Sequence, residues 1–370
     1  MASIKLAAQS SLPVAPDSYI YSVTATTPRT DLKFDTYQPI SSSDKVAAIS
    51  SDDSLLLLDP STLKVLPNGH IRGANSSLTC VKPYAPVGEQ ANIILTAGRD
   101  GIVKAWDLRT CRTAFTLSAP SSSRNPSAGP DAISAIDCNA ETNAIAAGTE
   151  LEGDGPGDVR IYIWDHRNPQ QPRIAYQESH TDTITELRYL PYPSTASTIL
   201  MSGSTDGLVN VFNTTIEDED DAVLQVSNHY SAIHHTGLIG DNIYALGTDE
   251  KLSFYVQQNP DLDQPDPEPY SLGDLRDQAP CDYAMRIWNG TRPFIALGSH
   301  NLDEQGLGFF PLSPEASSAT SSPRWNLNTT SGFILPGGHG EEVIRDYFIA
   351  GEMKSVYTCG EDGSVKLWVQ

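Results

Sequence analysis

The chain has 370 residues, with 24 Lys and Arg against 46 Asp and Glu, for a formal net charge of -22. That balance repels phosphate backbones and anionic lipid, which argues against nucleic acid and membranes as partners and favours a basic protein. No stretch reaches the roughly 18 apolar residues of a membrane span, and the start lacks a basic-then-apolar signal pattern, so an intracellular protein of cytoplasm or nucleus is expected.

Residues 1–17 are small and polar and read as a flexible arm. Residues 19–26 (Tyr-Ile-Tyr-Ser-Val-Thr-Ala-Thr) alternate as a strand does. A first hairpin spans 46–59, with Asp52 and Asp53 at its turn, and a second blade runs from Leu78 to Asp107. A third begins near Ile133 and ends at Asp165, widened by an acidic loop over 150–158. The fourth opens at His180, closes at Phe212 and is followed by the acid run Glu217, Asp218, Glu219, Asp220 and Asp221. In the fifth hairpin, 243–255, Glu250 stands where glycine is expected. A Pro-rich stretch over 257–280, with Asp261, Asp263, Asp266, Glu268, Asp274 and Asp277, reads as an acidic linker. The sixth hairpin is eroded (294–299, a loop, then 306–310), and the seventh blade runs from His339 to Trp368.

Three of these hairpins share one pattern: Thr-Ala-Gly-Arg-Asp-Gly-Ile-Val-Lys-Ala-Trp-Asp at 96–107, Ser-Gly-Ser-Thr-Asp-Gly-Leu-Val-Asn-Val-Phe-Asn at 202–213, and Thr-Cys-Gly-Glu-Asp-Gly-Ser-Val-Lys-Leu-Trp at 358–368. Asp-Gly suits a tight hairpin because the central turn residues need positive φ, which glycine adopts without steric cost. Recurrence at blade spacing, about 40 to 50 residues, predicts an all-β fold: a single seven-bladed WD-repeat β-propeller over residues 18–370. The last blade has no outer strand after Trp368, so an N-terminal strand is expected to close the ring, and 19–26 is the candidate.

Within the repeats, His339, Thr358, Asp362 and Trp368 have the spacing of a hydrogen-bonded tetrad, in which the indole N–H ends a chain running from carboxylate through imidazole and hydroxyl. The fourth blade offers His180, Ser202 and Asp206, but Phe212 truncates the network. The second has Thr96, Asp100 and Trp106, with His70 too far upstream to join. A Ser–His–Asp set is also hydrolase chemistry, but no nucleophile elbow is present and the geometry belongs to blade architecture. No phosphate-binding loop, H-E-x-x-H or Cys/His ligand cluster is seen, so no metal, cofactor or catalytic residue is expected. The five cysteines are scattered and odd in number, which suits reduced thiols. His234 and His235 are adjacent, and on a regular strand their rings would face opposite ways. Sequons begin at Asn75, Asn213, Asn289 and Asn328 and read as chance matches.

Two Trp-Asp-x-Arg boxes fall in consecutive blades: Trp106-Asp107-Leu108-Arg109 and Trp164-Asp165-His166-Arg167. They look like the box by which propeller substrate receptors dock on the adaptor of cullin-type ubiquitin ligases, the arginines offering forks for carboxylates. The alternative is that each arginine pairs within its own blade.

Over nearly its whole length the chain resembles the WD repeat-containing protein 89 family. The residues that carry this are His-Thr-Asp-Thr-Ile-Thr at 180–185, the 201–213 hairpin with its acidic tail, Ile-Ala-Ala-Gly-Thr-Glu at 145–150, the box at 164–167, and Gly-Gly-His-Gly-Glu-Glu-Val-Ile-Arg at 337–345. The resemblance implies the propeller more than any activity. The reading is a monomeric, non-enzymatic protein-binding scaffold that engages a basic client, such as a ribosomal or chromatin protein, through an acidic face. The alternative is a cullin-ligase substrate receptor; an enzyme with an unrecognised carboxylate site is more distant.

Overall fold

Seven antiparallel sheets follow one another along the chain and close into a ring. The computed structural model describes residues 4–27, 44–86, 89–121, 129–152, 159–190, 198–257, 268–290, 292–300, 306–315, 324–350 and 354–370. The inner strands, in blade order, are Ile20–Ala25, Leu78–Tyr84, Ile133–Asn139, Ile184–Leu190, Ile233–Ile239, Tyr283–Asn289 and Ile344–Ala350. In the first five blades the next three strands of the chain add outward in sequence order. The sixth blade differs at its rim, where Trp325–Leu327 and Phe333–Pro336 share the outer edge of Gly306–Pro314.

Ring closure corrects the expectation for both early segments. Ile20–Ala25 is the inner strand of the first blade, paired with Val46–Ser50. The strand that completes the seventh blade is Lys5–Gln9, paired with Val365–Val369, inside the segment read as a flexible arm. The hairpin at 46–58 needs an inner partner of its own, and the alternating apolar pattern of 20–25 supplies it. Lys-Leu-Ala-Ala-Gln lies on the rim, mostly exposed, so it has little pattern to read. Ser10 locks the join, its N–H donating to the Val365 carbonyl at 2.9 Å and its hydroxyl accepting from the Val365 N–H at 2.7 Å.

The core lies between blades. One cluster joins Leu95, Val103 and Leu117 of the second blade to Ile136, Ile145 and Trp164 of the third. Another joins Val23, Val46 and Leu56 of the first to Cys359, Val365 and Leu367 of the seventh across the closure. Each inner strand also carries an irregularity of register just after its start. In blades two to four the side chain at that bulge is a hydroxyl that reaches the next blade. Thr79 donates to the Ile133 carbonyl at 2.9 Å, Ser134 to that of Ile184 at 2.6 Å, and Thr185 to that of Ile233 at 2.9 Å. A bulge re-aims one side chain without ending the strand, and here it converts that freedom into a stitch between neighbours.

The glycines of the Asp-Gly turns take the left-handed conformation, with φ of 71° at Gly101, 87° at Gly207 and 70° at Gly363, but Asp100, Asp206 and Asp362 do not share the positive φ expected of both central residues. Glu250 occupies the same left-handed region at 63° without being glycine. Its carboxylate accepts from the Ala284 N–H at 2.7 Å, a bond to the sixth blade that offsets the strain. The stretch read as an acidic linker contains the fifth blade's outer strand, Tyr270–Asp274, and a short turn, Leu275–Asp277, with Leu275 buried. Asp261, Asp263 and Asp266 lie outside the described residues.

Candidate functional site

Strand register decides which blades build a polar tetrad. In the seventh, Trp368 Nε1 donates to Thr358 Oγ1 at 3.0 Å, that hydroxyl meets His339 Nε2 at 2.8 Å, and His339 Nδ1 donates to Asp362 at 2.7 Å. Burial would push the Asp362 carboxyl up, but hydrogen bonds from His339 and Ser364 outweigh it and hold it well below the usual carboxylate range. Burial likewise lowers His339, so the imidazole stays neutral and can accept from Thr358.

In the second blade the histidine place is filled by Asn75, which sequence reasoning passed over in weighing His70. Trp106 Nε1 donates to Thr96 Oγ1 at 2.9 Å, Thr96 donates to Asn75 Oδ1 at 2.7 Å, and Asn75 Nδ2 donates to Asp100 at 3.1 Å. A carboxamide, like a neutral imidazole, accepts at one end and donates at the other. His70 lies on the outer strand of the first blade, its Nε2 3.1 Å from Ser54 Oγ. Asn75 is 2% exposed, so the asparagine of that sequon is buried.

The fourth blade holds His180 Nδ1 3.0 Å from Asp206 and His180 Nε2 2.6 Å from Ser202 Oγ. Ser202 is fully buried, beyond the reach of a substrate. Phe212 stacks on Tyr176 of the third blade, ring centres 5.0 Å apart, instead of donating to the network. In the third and fifth blades the hydroxyl position is alanine: Ala147 and Ala245 occupy the register of Thr96, Ser202 and Thr358. Each leaves an atom without a hydrogen-bond partner among the described residues, the Trp164 indole N–H in one and His229 Nε2 in the other. His229 is the fifth blade's tetrad histidine, four residues before Ile233 as His180 is before Ile184, a spacing the sequence displays.

The two boxes sit on turns between third and outer strands. Arg109 closes a fork on Asp107, Nε at 3.0 Å and Nη2 at 2.7 Å, and Arg167 does the same on Asp165 through Nε at 2.8 Å and through Nη2. These forks hold both carboxyls at about 2. The arginine side chains remain 72% and 67% exposed. Within the second box, His166 Nδ1 meets Tyr84 OH at 2.8 Å and its ring stacks on Phe115, tying the turn to the second blade.

The acid run is divided in role. Asp218 caps a short helix, Glu219–Ala222, and the Glu219 carboxylate receives the N–H groups of Gln177, Glu178 and Ser179 together with the Ser179 hydroxyl. Glu219 therefore ties the fourth blade to the end of the third. Glu217, Asp220 and Asp221 remain exposed.

Inside the ring, the bulge at His234 breaks the alternation expected of His234 and His235, and their rings lie side by side with centres 4.3 Å apart. His235 bonds Glu186 at 3.0 Å. The neighbouring His235, with burial, pushes His234 down to about 3. Further ion pairs join Lys82 to Asp137 at 3.7 Å and Arg286 to Asp346 at 3.1 Å.

Charge differs between the ends of the ring. At the end bearing the Asp-Gly turns, Glu152, Glu178, Asp277, Glu341 and Glu342 are exposed, while Arg99, Arg276 and Arg345 are paired to Glu150, Asp274 and Glu361. At the opposite end Lys64, Arg109, Arg112, Arg167, Arg173 and Lys354 are exposed among scattered acids. Among the described residues no cluster of three His, Cys, Asp or Glu could hold a metal ion. No helix there is long and apolar enough to cross a membrane.

A family model for the WD domain, G-beta repeat, matches residues 61–107, an outer strand and the three strands that follow it in the next blade. An uncharacterised WD repeat-containing protein of Saccharomyces cerevisiae is 30% identical over 320 residues, 86% of this chain and 74% of its own. Another, of Schizosaccharomyces pombe, is 26% identical over 285 residues, 74% and 78% of the two chains. The WD repeat-containing protein 89 homolog of Dictyostelium discoideum is 25% identical over 168 residues, 45% and 40% of the two.

Proposed function

Because the chain belongs to the family of WD repeat-containing proteins, whose propellers serve as protein-interaction scaffolds, we propose that it binds clients carrying basic segments. The observation that carries this is the state of Glu178, Asp277, Glu341 and Glu342: all four are exposed at the turn-bearing end without an ion-pair partner among the described residues. Arg99, Arg276 and Arg345 of that end are paired and Arg72 is exposed with no ion pair among the described residues, so the free carboxylates outnumber the free cation and set the sign of the field there. Such a field steers a cationic segment and falls off within about 8 Å at physiological salt. Glu217, Asp220 and Asp221 extend the same sign onto the flank of the fourth blade.

The test is client recovery from native extract across a salt ladder, comparing the intact protein with the Glu178→Gln, Glu341→Gln, Glu342→Gln variant. Basic clients should be lost at lower salt and with a shallower salt slope. Recovery unchanged at every salt would remove the acidic end from the interface.

One observation favours a second reading, a substrate receptor of a cullin-type ubiquitin ligase. Arg109 and Arg167 lie on equivalent turns of adjacent blades, at one end of the ring, and both are largely exposed. Their internal forks leave the outer faces of the guanidinium groups open to an adaptor carboxylate.

A further inference from the structure

The outer strand of each blade is a sheet edge, and an edge with free N–H and C=O groups pairs with other chains unless something blunts it. Six of the seven described edges carry such a device. Pro67 and Gly69 interrupt Val65–Ile71; Arg112 begins Arg112–Ser118; Ile174–Tyr176 is three residues long; Gly273 and Asp274 end Tyr270–Asp274. The sixth edge is split in two and stops at Pro336, and Lys5–Gln9 is charged and bulged. The fourth, Val223–Asn228, reads Val-Leu-Gln-Val-Ser-Asn: six residues with no charge, proline or glycine. Among the described residues nothing pairs with its far side.

Its side chains divide by face. Gln225 and Ser227 turn inward, Gln225 Nε2 donating to the Val256 carbonyl at 2.9 Å, while Val226 is 54% exposed. Two residues past the strand, Tyr230 is 87% exposed and held at a φ of 61°. A left-handed tyrosine is strained, and the N–H of Tyr230 bonded to Asn228 Oδ1 at 2.8 Å keeps it there. An aromatic ring is thus fixed in solvent at one end of an open edge. At the other end, directly before the strand, stand the exposed carboxylates of Glu217, Asp220 and Asp221.

We propose that the fourth blade's outer edge is a docking strand for an extended, basic segment of a partner protein. The segment adds as a fifth strand, sets an apolar side chain against Val226 and Tyr230, and places lysine or arginine beside the acid run. Main-chain bonds then supply affinity, and side-chain contacts supply selection. This deepens the basic-client reading and rests on it for the sign of the partner.

Three capped octapeptides test it on the full-length protein: alternating Lys-Val, Thr-Val and Glu-Val, followed by fluorescence anisotropy and amide hydrogen exchange. The Lys-Val peptide should bind saturably and slow exchange within 223–228, with Thr-Val several-fold weaker and Glu-Val weakest. Val226→Lys and Tyr230→Asp, both at exposed positions, should each weaken Lys-Val binding about tenfold or more, whereas Val226→Thr should retain it. Absence of saturable binding by any peptide, or binding indifferent to Val226→Lys, overturns the proposal. Lys-Val protection confined to the turn-bearing end and lost in the Glu178/Glu341/Glu342 variant overturns the edge while sparing the basic-client reading. Equal binding of Lys-Val and Thr-Val at 223–228 supports the edge and overturns the charge preference.

Discussion

The indole N–H of Trp164 has no acceptor among the described residues because the register position two residues along the neighbouring strand holds Ala147, where Trp106 finds the hydroxyl of Thr96. An unpaired buried donor forfeits its solvation, a cost of roughly 1–3 kcal/mol. His229 is left in the same state by Ala245.

Rebuilding the missing hydroxyls should therefore stabilise the ring. Ala147→Ser and Ala245→Ser are each expected to contribute on the order of 1 kcal/mol, read as a small rise in melting temperature. The reverse change, Thr96→Ala or Thr358→Ala, should lower it by more, since a complete network loses its bridge. A lowered melting temperature in both serine variants would show that the two sites have no room for an oxygen.

The closing strand should govern the seventh blade specifically. Deleting residues 1–10 removes the partner of Val365–Val369 and both Ser10 bonds to Val365. Amide exchange in Val365–Val369 should accelerate and the melting temperature should fall, while exchange in Leu208–Asn213 of the fourth blade changes little. Equal acceleration in both strands would mean that the ring unfolds as one unit.

Acid should weaken the fold in two steps. His70, His229, His234 and His339 are all held below the ordinary imidazole value: His234 first by His235 and then by burial, the others first by burial. The unfolded chain then binds protons that the native state refuses, so stability falls as pH drops below about 6.5. The depressed Asp362 adds a second loss as pH falls from about 4 toward its folded value. Melting temperature should thus decline from pH 7 to pH 5, and His339→Gln should flatten that slope. A flat profile over this window in the unaltered protein would contradict the buried, neutral histidines.

The paired boxes give a clean separation of roles. Arg109→Ala with Arg167→Ala breaks two exposed i, i+2 forks, whose stabilising effect is small at a solvated surface. Melting temperature should stay within a degree or two, so loss of adaptor recovery from native extract would report docking. A collapsed melting temperature would instead assign both arginines to the turns they close.

Much of this was legible in the sequence because hairpin chemistry is local. Asp-Gly with alternating flanks specifies its own turn, and the tetrad residues lie at spacings set by strand length. Asn75 was missed because a carboxamide shares no composition cue with histidine, only its pattern of donor and acceptor. His234 and His235 were misplaced because alternation assumes an unbroken strand, and a bulge leaves no mark on composition. Lys5–Gln9 reads as an arm because a rim strand buries too little to carry a hydrophobic pattern.

That rim strand also sets a clock. Lys5–Gln9 is made before every other described strand, and its partner, Val365–Val369, after all of them. At roughly 5–20 residues per second, the wait is on the order of 20 to 70 seconds. Through that time the nascent ring has a gap where its two ends will meet, with Cys359, Val365 and Leu367 not yet present to cover Val23, Val46 and Leu56. Until then Val23, Val46 and Leu56 lack the seventh-blade covering they have in the closed ring.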